Sequence, residues 1–284
     1  MRTARVFPRP TNATPTDPLA FVGGPPLFPV ECDAVQVSVS FTWDLETAHR
    51  LADDWAAAGY NVAIGGPATG TPAADFEPGM FLAAGHVITS RGCPNHCWFC
   101  TVPEREGTTR ELPIRDGWKV QDSNLLACSR RHVAAVFDML ARQPHRPEFL
   151  GGLEAARLER WHIDRLAELR PRELFLAYDL AEDAEAVAEA GQALRLAGIH
   201  RLSCYVLMGY PGDTPEAADA RLREAASAGT LPRAMFYQPG PGRRSTPPEW
   251  AAMVRAWSRP AITRHLVAGW PIEKRPANAA GLEP

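Results

Sequence analysis

The chain has 284 residues, of which 45% are hydrophobic, and a formal net charge of −3. This size suffices for one large domain or two modest ones, and the small negative charge argues against a protein coated in nucleic acid. The first residues include prolines instead of an apolar segment, and no apolar run approaches the roughly 18 residues of a membrane span. We therefore expect no signal peptide, no membrane contact and a cytoplasmic location.

The first 85 residues divide into two segments. Residues 1–29 contain seven prolines and little periodicity, which predicts a Pro-rich amino-terminal arm without a fold of its own. Residues 30–85 contain an alternating apolar run from Val35 to Phe41, a helical pattern that Asp44 could cap, and a short apolar run at 61–64. This pattern predicts a strand, a helix and a second strand.

The most informative feature is a group of three cysteines, Cys93, Cys97 and Cys100, at C-x3-C-x2-C spacing. Three thiolates can hold three irons of a [4Fe-4S] cluster, which leaves the fourth iron open for chemistry. Zinc, with His96 as a fourth ligand, is an alternative, although no second ligand pair follows along the chain. The isolated cysteines, Cys32, Cys128 and Cys204, are more typical of small buried apolar residues.

The motif C-x3-C-x-aromatic-C, with Phe99 at the aromatic position, resembles the signature of the radical S-adenosylmethionine superfamily. Residues 87–107 look like the cluster loop of its methylthiotransferase and cobalamin-associated subset. The resemblance implies a [4Fe-4S] cluster on Cys93, Cys97 and Cys100, with S-adenosylmethionine bound at the open iron. It also implies a reductive cleavage that yields methionine and a 5′-deoxyadenosyl radical, which abstracts hydrogen from a substrate. A flavodoxin- or ferredoxin-type protein would supply the electron.

The same resemblance makes residues 30–85 a truncated Rossmann-like segment, similar to part of the cobalamin domain of these relatives. The Asp-x-His-x-x-Gly motif that ligates cobalt there is absent, and His49 lies on the polar side of the predicted helix. We expect that no histidine of this chain ligates cobalamin. The segment would serve in packing or shape the substrate entrance.

From His86 onward, predicted strands and helices alternate, as in a parallel sheet with right-handed crossovers. The fold class is therefore α/β, and the resemblance implies a partial (β/α)6 barrel over residues 86–240. The predicted strands lie near 86–91, 118–122, 147–151, 173–179, 201–209 and 233–238. The predicted helices lie near 129–142, 154–169, 182–197 and 214–229.

Ligands of such barrels lie at the carboxyl ends of the strands. After the second strand, Asp122 and Asn124 could hold the methionine part of S-adenosylmethionine or a substrate, or Asp122 could form an Asx-turn. After the third strand, Gly151 and Gly152 would let a ligand approach, and Glu154 could bind its ammonium group. The alternative for these three residues is a strand-to-helix turn with a charge at the helix start.

The later strand ends complete the predicted site. Asp179 suits the two hydroxyls of a ribose, or could cap the next helix. The resemblance assigns adenine contacts to Met208, Gly209 and Tyr210.

Residues 241–284 form a basic carboxyl-terminal extension with Trp250, Trp257 and Trp270. Its tryptophan spacing is more typical of a helix that covers the barrel than of a nucleic-acid contact. A non-catalytic iron–sulfur protein that transfers electrons or regulates a partner is the alternative to an enzyme.

Overall fold

The computed structural model describes residues 2–70, 76–238 and 246–259 together with Thr263. In chain order its elements are β1 (Thr3–Phe7), β2 (Ala20–Val22), β3 (Ala34–Ser38), α1 (Leu45–Ala57), β4 (Val62–Gly65), β5 (His86–Val87), β6 (Ser90–Arg91), α2 (Val102–Glu106), β7 (Arg110–Glu111), β8 (Lys119–Val120), α3 (Arg130–Ala141), β9 (Glu148–Phe149), α4 (Arg160–Leu169), β10 (Glu173–Tyr178), α5 (Ala184–Leu196), β11 (Leu202–Met208), α6 (Pro215–Ser227), β12 (Leu231–Phe236) and α7 (Pro248–Trp257).

Strands β1 to β4 form a first parallel sheet in the order β2-β1-β3-β4. Helix α1 packs on it through a stripe of Ala48, Leu51, Ala52 and Trp55, which have the spacing of one helix face. The strand, helix and strand predicted between residues 35 and 64 are confirmed. Asp44 precedes the helix but makes no capping hydrogen bond, because its buried carboxylate pairs with Arg9.

The prediction that residues 1–29 form an arm without a fold is wrong. Strand β1 lies inside the first sheet between β2 and β3, and all five of its residues are buried. Ala4 and Val6 belong to the apolar core, whereas Arg5 pairs with Asp17. The five-residue strand β1 places only two residues in the core, so its alternation of apolar residues is too short to be recognised in a segment with seven prolines.

Strands β5, β8, β9, β10, β11 and β12 form a second, six-stranded parallel sheet. Each strand pairs with the next one along the chain, in the order β12-β11-β10-β9-β8-β5. The six predicted strand positions are confirmed, although β5, β8 and β9 have only two residues each. Helices α3 to α6 occupy the four predicted helical regions between these strands. The α/β class is thus confirmed, and closure into a partial barrel stays a prediction because an open sheet can share this strand order.

A short antiparallel pair projects from the start of the second sheet. Strands β6 and β7 pair Ser90 with Glu111 and Arg91 with Arg110. The cysteine loop, residues 92–101, and helix α2 lie between these strands in the chain. The pairing closes the base of the segment that carries the three cysteines.

Helix α7 covers the far edge of the second sheet. Trp250 and Trp257 are buried; Trp250 packs edge-on against Phe236, and Trp257 Nε1 donates to Asp219 at 3.2 Å. The packing role predicted for these two tryptophans is confirmed, whereas Trp270 and residues 239–245 lie outside the described part of the chain. Within the described residues, no helix has the length and apolar content needed to cross a membrane.

Candidate metal and cofactor site

The cysteine loop begins at a position that only glycine fits. Gly92 has φ of 81°, and a Cβ atom there would lie 2.2 Å from the carbonyl oxygen of Thr108. The Cys93 N–H donates to the Gly107 carbonyl at 3.2 Å, and the Cys100 N–H donates to the Cys97 carbonyl at 3.0 Å. The backbone therefore holds both ends of the three-cysteine segment in place.

A buried carboxylate, Glu106, anchors this loop from the last residue of α2. It accepts hydrogen bonds from the Gly92 N–H at 2.9 Å, from Ser123 Oγ at 2.7 Å and from Arg105 at 2.6 Å. Burial opposes ionisation of Glu106, but these hydrogen bonds and the charge of Arg91 outweigh it and lower its pKa. The anchoring role of Glu106 could not be predicted from the sequence, because Gly92 and Ser123, which donate hydrogen bonds to it, are distant from it along the chain.

Asp122 also supports the loop, through hydrogen bonds to the segment that precedes it. It is 1% exposed, and its oxygens accept from the Thr89 N–H at 2.7 Å, Thr89 Oγ1 at 2.6 Å and Ser90 Oγ at 2.7 Å. These hydrogen bonds take the place of the predicted Asx-turn, whereas the predicted ligand contact of Asp122 stays a prediction. Its carboxylate joins the end of the second strand to the segment that leads into the cysteine loop.

The three cysteine side chains are half-buried thiols outside any disulfide. Burial raises the pKa of Cys97, and so do the charges of Cys100, Cys93 and Asp179. Burial likewise raises the pKa of Cys100, with Cys93 and Asp179 among the contributing charges. The three sulfurs and the Asp179 carboxylate therefore share one electrostatic environment, in which a positive metal centre would stabilise the thiolates.

No three His, Cys, Asp or Glu side chains in the described ranges converge closely enough to hold a single metal ion. In a cubane cluster each cysteine binds a different iron, so its ligands need not converge on one point. The donor set, three free thiols on one anchored loop, has the chemistry that such a cluster requires.

Asn124 connects this loop to the end of the third strand. Its Nδ2 donates to Cys93 Sγ at 3.3 Å and to Glu154 Oε2 at 2.6 Å. Arg157 Nε donates to the same Glu154 oxygen at 2.6 Å. Asn124 is 7% exposed, and its Oδ1 accepts no hydrogen bond from the described residues. The predicted site residues Asn124 and Glu154 are thus in direct contact with each other, and Asn124 also contacts Cys93.

The two glycines of the third strand end serve the turn itself. A Cβ at Gly151 would lie 2.1 Å from the Asp122 carbonyl oxygen, and Gly152 has φ of 82°. Close packing of this turn against the Asp122 carbonyl therefore accounts for Gly151, and ligand approach at the two glycines stays a prediction. The same tight turn brings Glu154 under Asn124.

Asp179 directly follows β10, and its carboxylate accepts no hydrogen bond from the described residues. Burial and the neighbouring Asp183 raise its pKa to about 6. The capping role predicted for Asp179 belongs to Asp183, whose carboxylate accepts the backbone N–H groups of Asp179 at 3.0 Å and Leu180 at 2.9 Å. Asp179 is consequently available to a ligand, as the ribose interpretation requires.

The three predicted adenine contacts occupy different environments. Met208 is fully buried in the core of the second sheet, and its predicted ring contact stays a prediction. The Gly209 N–H donates to Asp213 at 2.8 Å, and Arg221 donates to the same carboxylate at 2.9 Å. Tyr210 follows this rigid turn and lies beside the cysteine loop.

An aromatic cluster of Trp98, Tyr210 and Tyr237 joins the cysteine loop to the ends of β11 and β12. The Trp98 ring centroid lies 5.7 Å from that of Tyr210 and 5.4 Å from that of Tyr237, in edge-to-face geometry. Phe99 packs against Trp98 at 5.4 Å. The sequence analysis does not include Trp98 and Tyr237 among the site residues. Only the structure shows that Trp98, on the cysteine loop, is 54% exposed, as a residue that contacts a ligand would be.

The remaining cysteines lie elsewhere. Cys204 is buried in β11, and Cys32 packs against the first core. Burial raises the pKa of Cys128 to about 11.

No protein-family model matches the chain, and no curated protein matches it at a significant level. Assignment of a function therefore depends on the chemistry of the site.

Proposed function

We propose that this chain is a radical S-adenosylmethionine enzyme that modifies an unidentified substrate. The observation that carries the proposal is the environment of the three free thiols. They lie on one loop anchored by Glu106 and Asp122, beside an Asn124–Glu154 pair and near the Asp179 carboxylate, which accepts no hydrogen bond from the described residues. These groups belong to the carboxyl ends of adjacent strands, where ligands bind in parallel α/β folds.

Cys93, Cys97 and Cys100 would hold the [4Fe-4S] cluster, which when bound to S-adenosylmethionine supplies the electron for reductive cleavage of the sulfonium. Glu154 is placed to accept the ammonium group of the methionine part, with Arg157 as a counterpart for the carboxylate. Asp179 is placed to accept hydrogen bonds from ribose hydroxyls. Tyr210 and Phe99 offer aromatic surface for adenine.

The second sheet would form a partial (β/α)6 barrel around this site. An oxygen-sensitive cluster needs a reducing setting, which is why we place the protein in the cytoplasm with a flavodoxin- or ferredoxin-type reductant.

The experiment is anaerobic reconstitution followed by iron and sulfide analysis and incubation with S-adenosylmethionine and dithionite. We expect about four irons and four sulfides per chain and formation of 5′-deoxyadenosine. Alanine at Cys93, Cys97 or Cys100 should abolish the cluster, whereas Cys128→Ala and Cys204→Ala should keep it. A stable cluster without 5′-deoxyadenosine would instead support an electron-transfer or regulatory protein. Loss of the cluster in Cys204→Ala but not in Cys93→Ala would refute the ligand assignment.

A further inference from the structure

Asn124 is the only side chain among the described residues that donates a hydrogen bond to a cysteine of the loop. An amide nitrogen carries two hydrogens, so one can serve Cys93 Sγ at 3.3 Å while the other serves Glu154 Oε2 at 2.6 Å. Both partners accept hydrogen bonds, which fixes the nitrogen and not the oxygen of the amide towards them. The orientation of Asn124 is therefore determined by its neighbours.

We propose that Asn124 is a positioning residue that sets the redox potential of the cluster through the Cys93 sulfur and fixes Glu154 at the same time. This inference rests on the proposed function. Reduction adds one electron to the cluster and makes the ligand sulfurs more negative, and an N–H donor stabilises that state more than the oxidised one. Asn124 would accordingly raise the midpoint potential and favour reduction.

The location of Asn124 strengthens this effect. The residue is 7% exposed, so little water competes for its hydrogen bonds, and a hydrogen bond in such surroundings is electrostatically stronger than one in water. The backbone around it is also fixed, because Asp122, two residues earlier, accepts three hydrogen bonds from Thr89 and Ser90. The amide cannot easily move away from the sulfur.

Glu154 provides the link to ligand binding. It accepts from Asn124 and from Arg157 through the same oxygen, Oε2. A cationic ligand group that draws Glu154 towards itself must therefore alter the amide that also serves Cys93. Asn124 Oδ1, which has no partner in the described part of the chain, is a buried acceptor in the same place and is suited to an ammonium group.

The test is an anaerobic potentiometric titration of the reconstituted protein, with the reduced cluster followed by electron paramagnetic resonance. Asn124→Asp keeps the size of the side chain but removes both N–H donors, and Asn124→Ala removes the side chain without adding charge. We expect each variant to hold iron. Its midpoint potential should be lower than that of the wild type by about 59 mV, which for one electron corresponds to about a tenfold less favourable reduction.

Glu154→Gln is the matched control, because it leaves the Asn124–Cys93 hydrogen bond in place. Because it removes a negative charge close to the Cys93 sulfur, this variant should be no harder to reduce than the wild type, in contrast to the Asn124 variants, while it binds S-adenosylmethionine more weakly. If Asn124→Asp fails to assemble a cluster, Asn124→Ala and Asn124→Ser give the measurement. A wild-type potential in the assembled Asn124 variants refutes this inference alone. Failure of the unaltered protein to form a cluster refutes the proposed function, and the inference falls with it.

Discussion

Replacing Asp179 by asparagine should stabilise the iron-free protein at neutral and alkaline pH. The Asp179 carboxylate is largely buried, lies near Asp183 and has no hydrogen-bond partner among the described residues, and its pKa is raised to about 6 from the ordinary 3.8. An acid with a raised pKa binds more protons in the folded than in the unfolded state. Its ionisation therefore costs stability as the pH rises through the interval between these two values, and the cost is complete above it.

The magnitude follows from the two pKa values. A difference between about 6 and 3.8 corresponds to roughly 3 kcal/mol at pH 8, an upper bound because the asparagine amide must also be buried. At pH 5 the same relation leaves roughly half of that cost. Asp179→Asn should therefore raise the free energy of unfolding at pH 8 by about 1–3 kcal/mol, and by clearly less at pH 5.

Urea unfolding at pH 5 and pH 8, without iron and with thiols reduced, measures this effect. Asp183→Ala is the control of opposite sign, because the Asp183 carboxylate accepts two backbone N–H groups. It should lose roughly 1–3 kcal/mol at pH 5, where repulsion from Asp179 is weakest. An Asp179→Asn protein that is no more stable than the wild type at pH 8, or whose gain does not change with pH, would refute the reasoning.

The functional counterpart is a loss of cofactor affinity. Asp179→Ala should weaken binding of S-adenosylmethionine by about 10- to 150-fold while the iron content stays unchanged, since a hydrogen bond to a charged group contributes about 1.5–3 kcal/mol. Equilibrium dialysis with the reconstituted protein provides the measurement. Unchanged affinity would remove Asp179 from the proposed site.

Three further predictions concern the supports of the site and the first sheet. Glu106→Gln should lower the free energy of unfolding by about 2–4 kcal/mol and speed the loss of iron to a chelator, because two arginines lose their counter-charge; wild-type stability and iron retention would contradict the anchoring role. Hydroxocobalamin added to the folded protein should show no retention on gel filtration that depends on His49, and near-stoichiometric retention abolished by His49→Ala would overturn this expectation. Trp55→Ala should cost about 3–5 kcal/mol in urea unfolding because Trp55 is fully buried in the first core, whereas the partly exposed Trp43 should tolerate alanine with a loss below about 1 kcal/mol.

The sequence allowed accurate placement of the second sheet because its strands and helices carry strong local patterns. Strand β10, with Leu174, Phe175 and Leu176 in succession, is apolar enough for a strand buried on both faces. Strand β1 escaped prediction because its neighbours Arg2 and Pro8 interrupt any longer pattern. Partners that are distant in sequence, such as Tyr237 beside Trp98, have no local signal at all.

The acidic residues at the carboxyl ends of the strands show most clearly what a sequence cannot distinguish. Asp122 and Asp179 both lie at the carboxyl end of a predicted strand, so both fit the same prediction of a ligand contact or a local turn or cap. In the folded chain Asp122 accepts three hydrogen bonds from the segment before the cysteine loop, whereas Asp179 accepts none from the described residues. The difference arises from Thr89 and Ser90, which precede Asp122 by more than thirty residues.

The polar groups around the cysteines differ in whether their hydrogen bonds are satisfied within the chain. Carboxylates whose hydrogen bonds are satisfied, those of Asp122, Glu106 and Asp183, hold the loops and turns that surround the cysteines. Among the described residues, the buried Asn124 carbonyl and the half-buried Asp179 carboxylate accept no hydrogen bond, and both groups lie near the cysteines. Unpaired buried polar atoms reduce stability unless something binds to them. Their position near three free thiols supports the proposed cofactor site, in which a bound ligand would supply the missing hydrogen-bond partners.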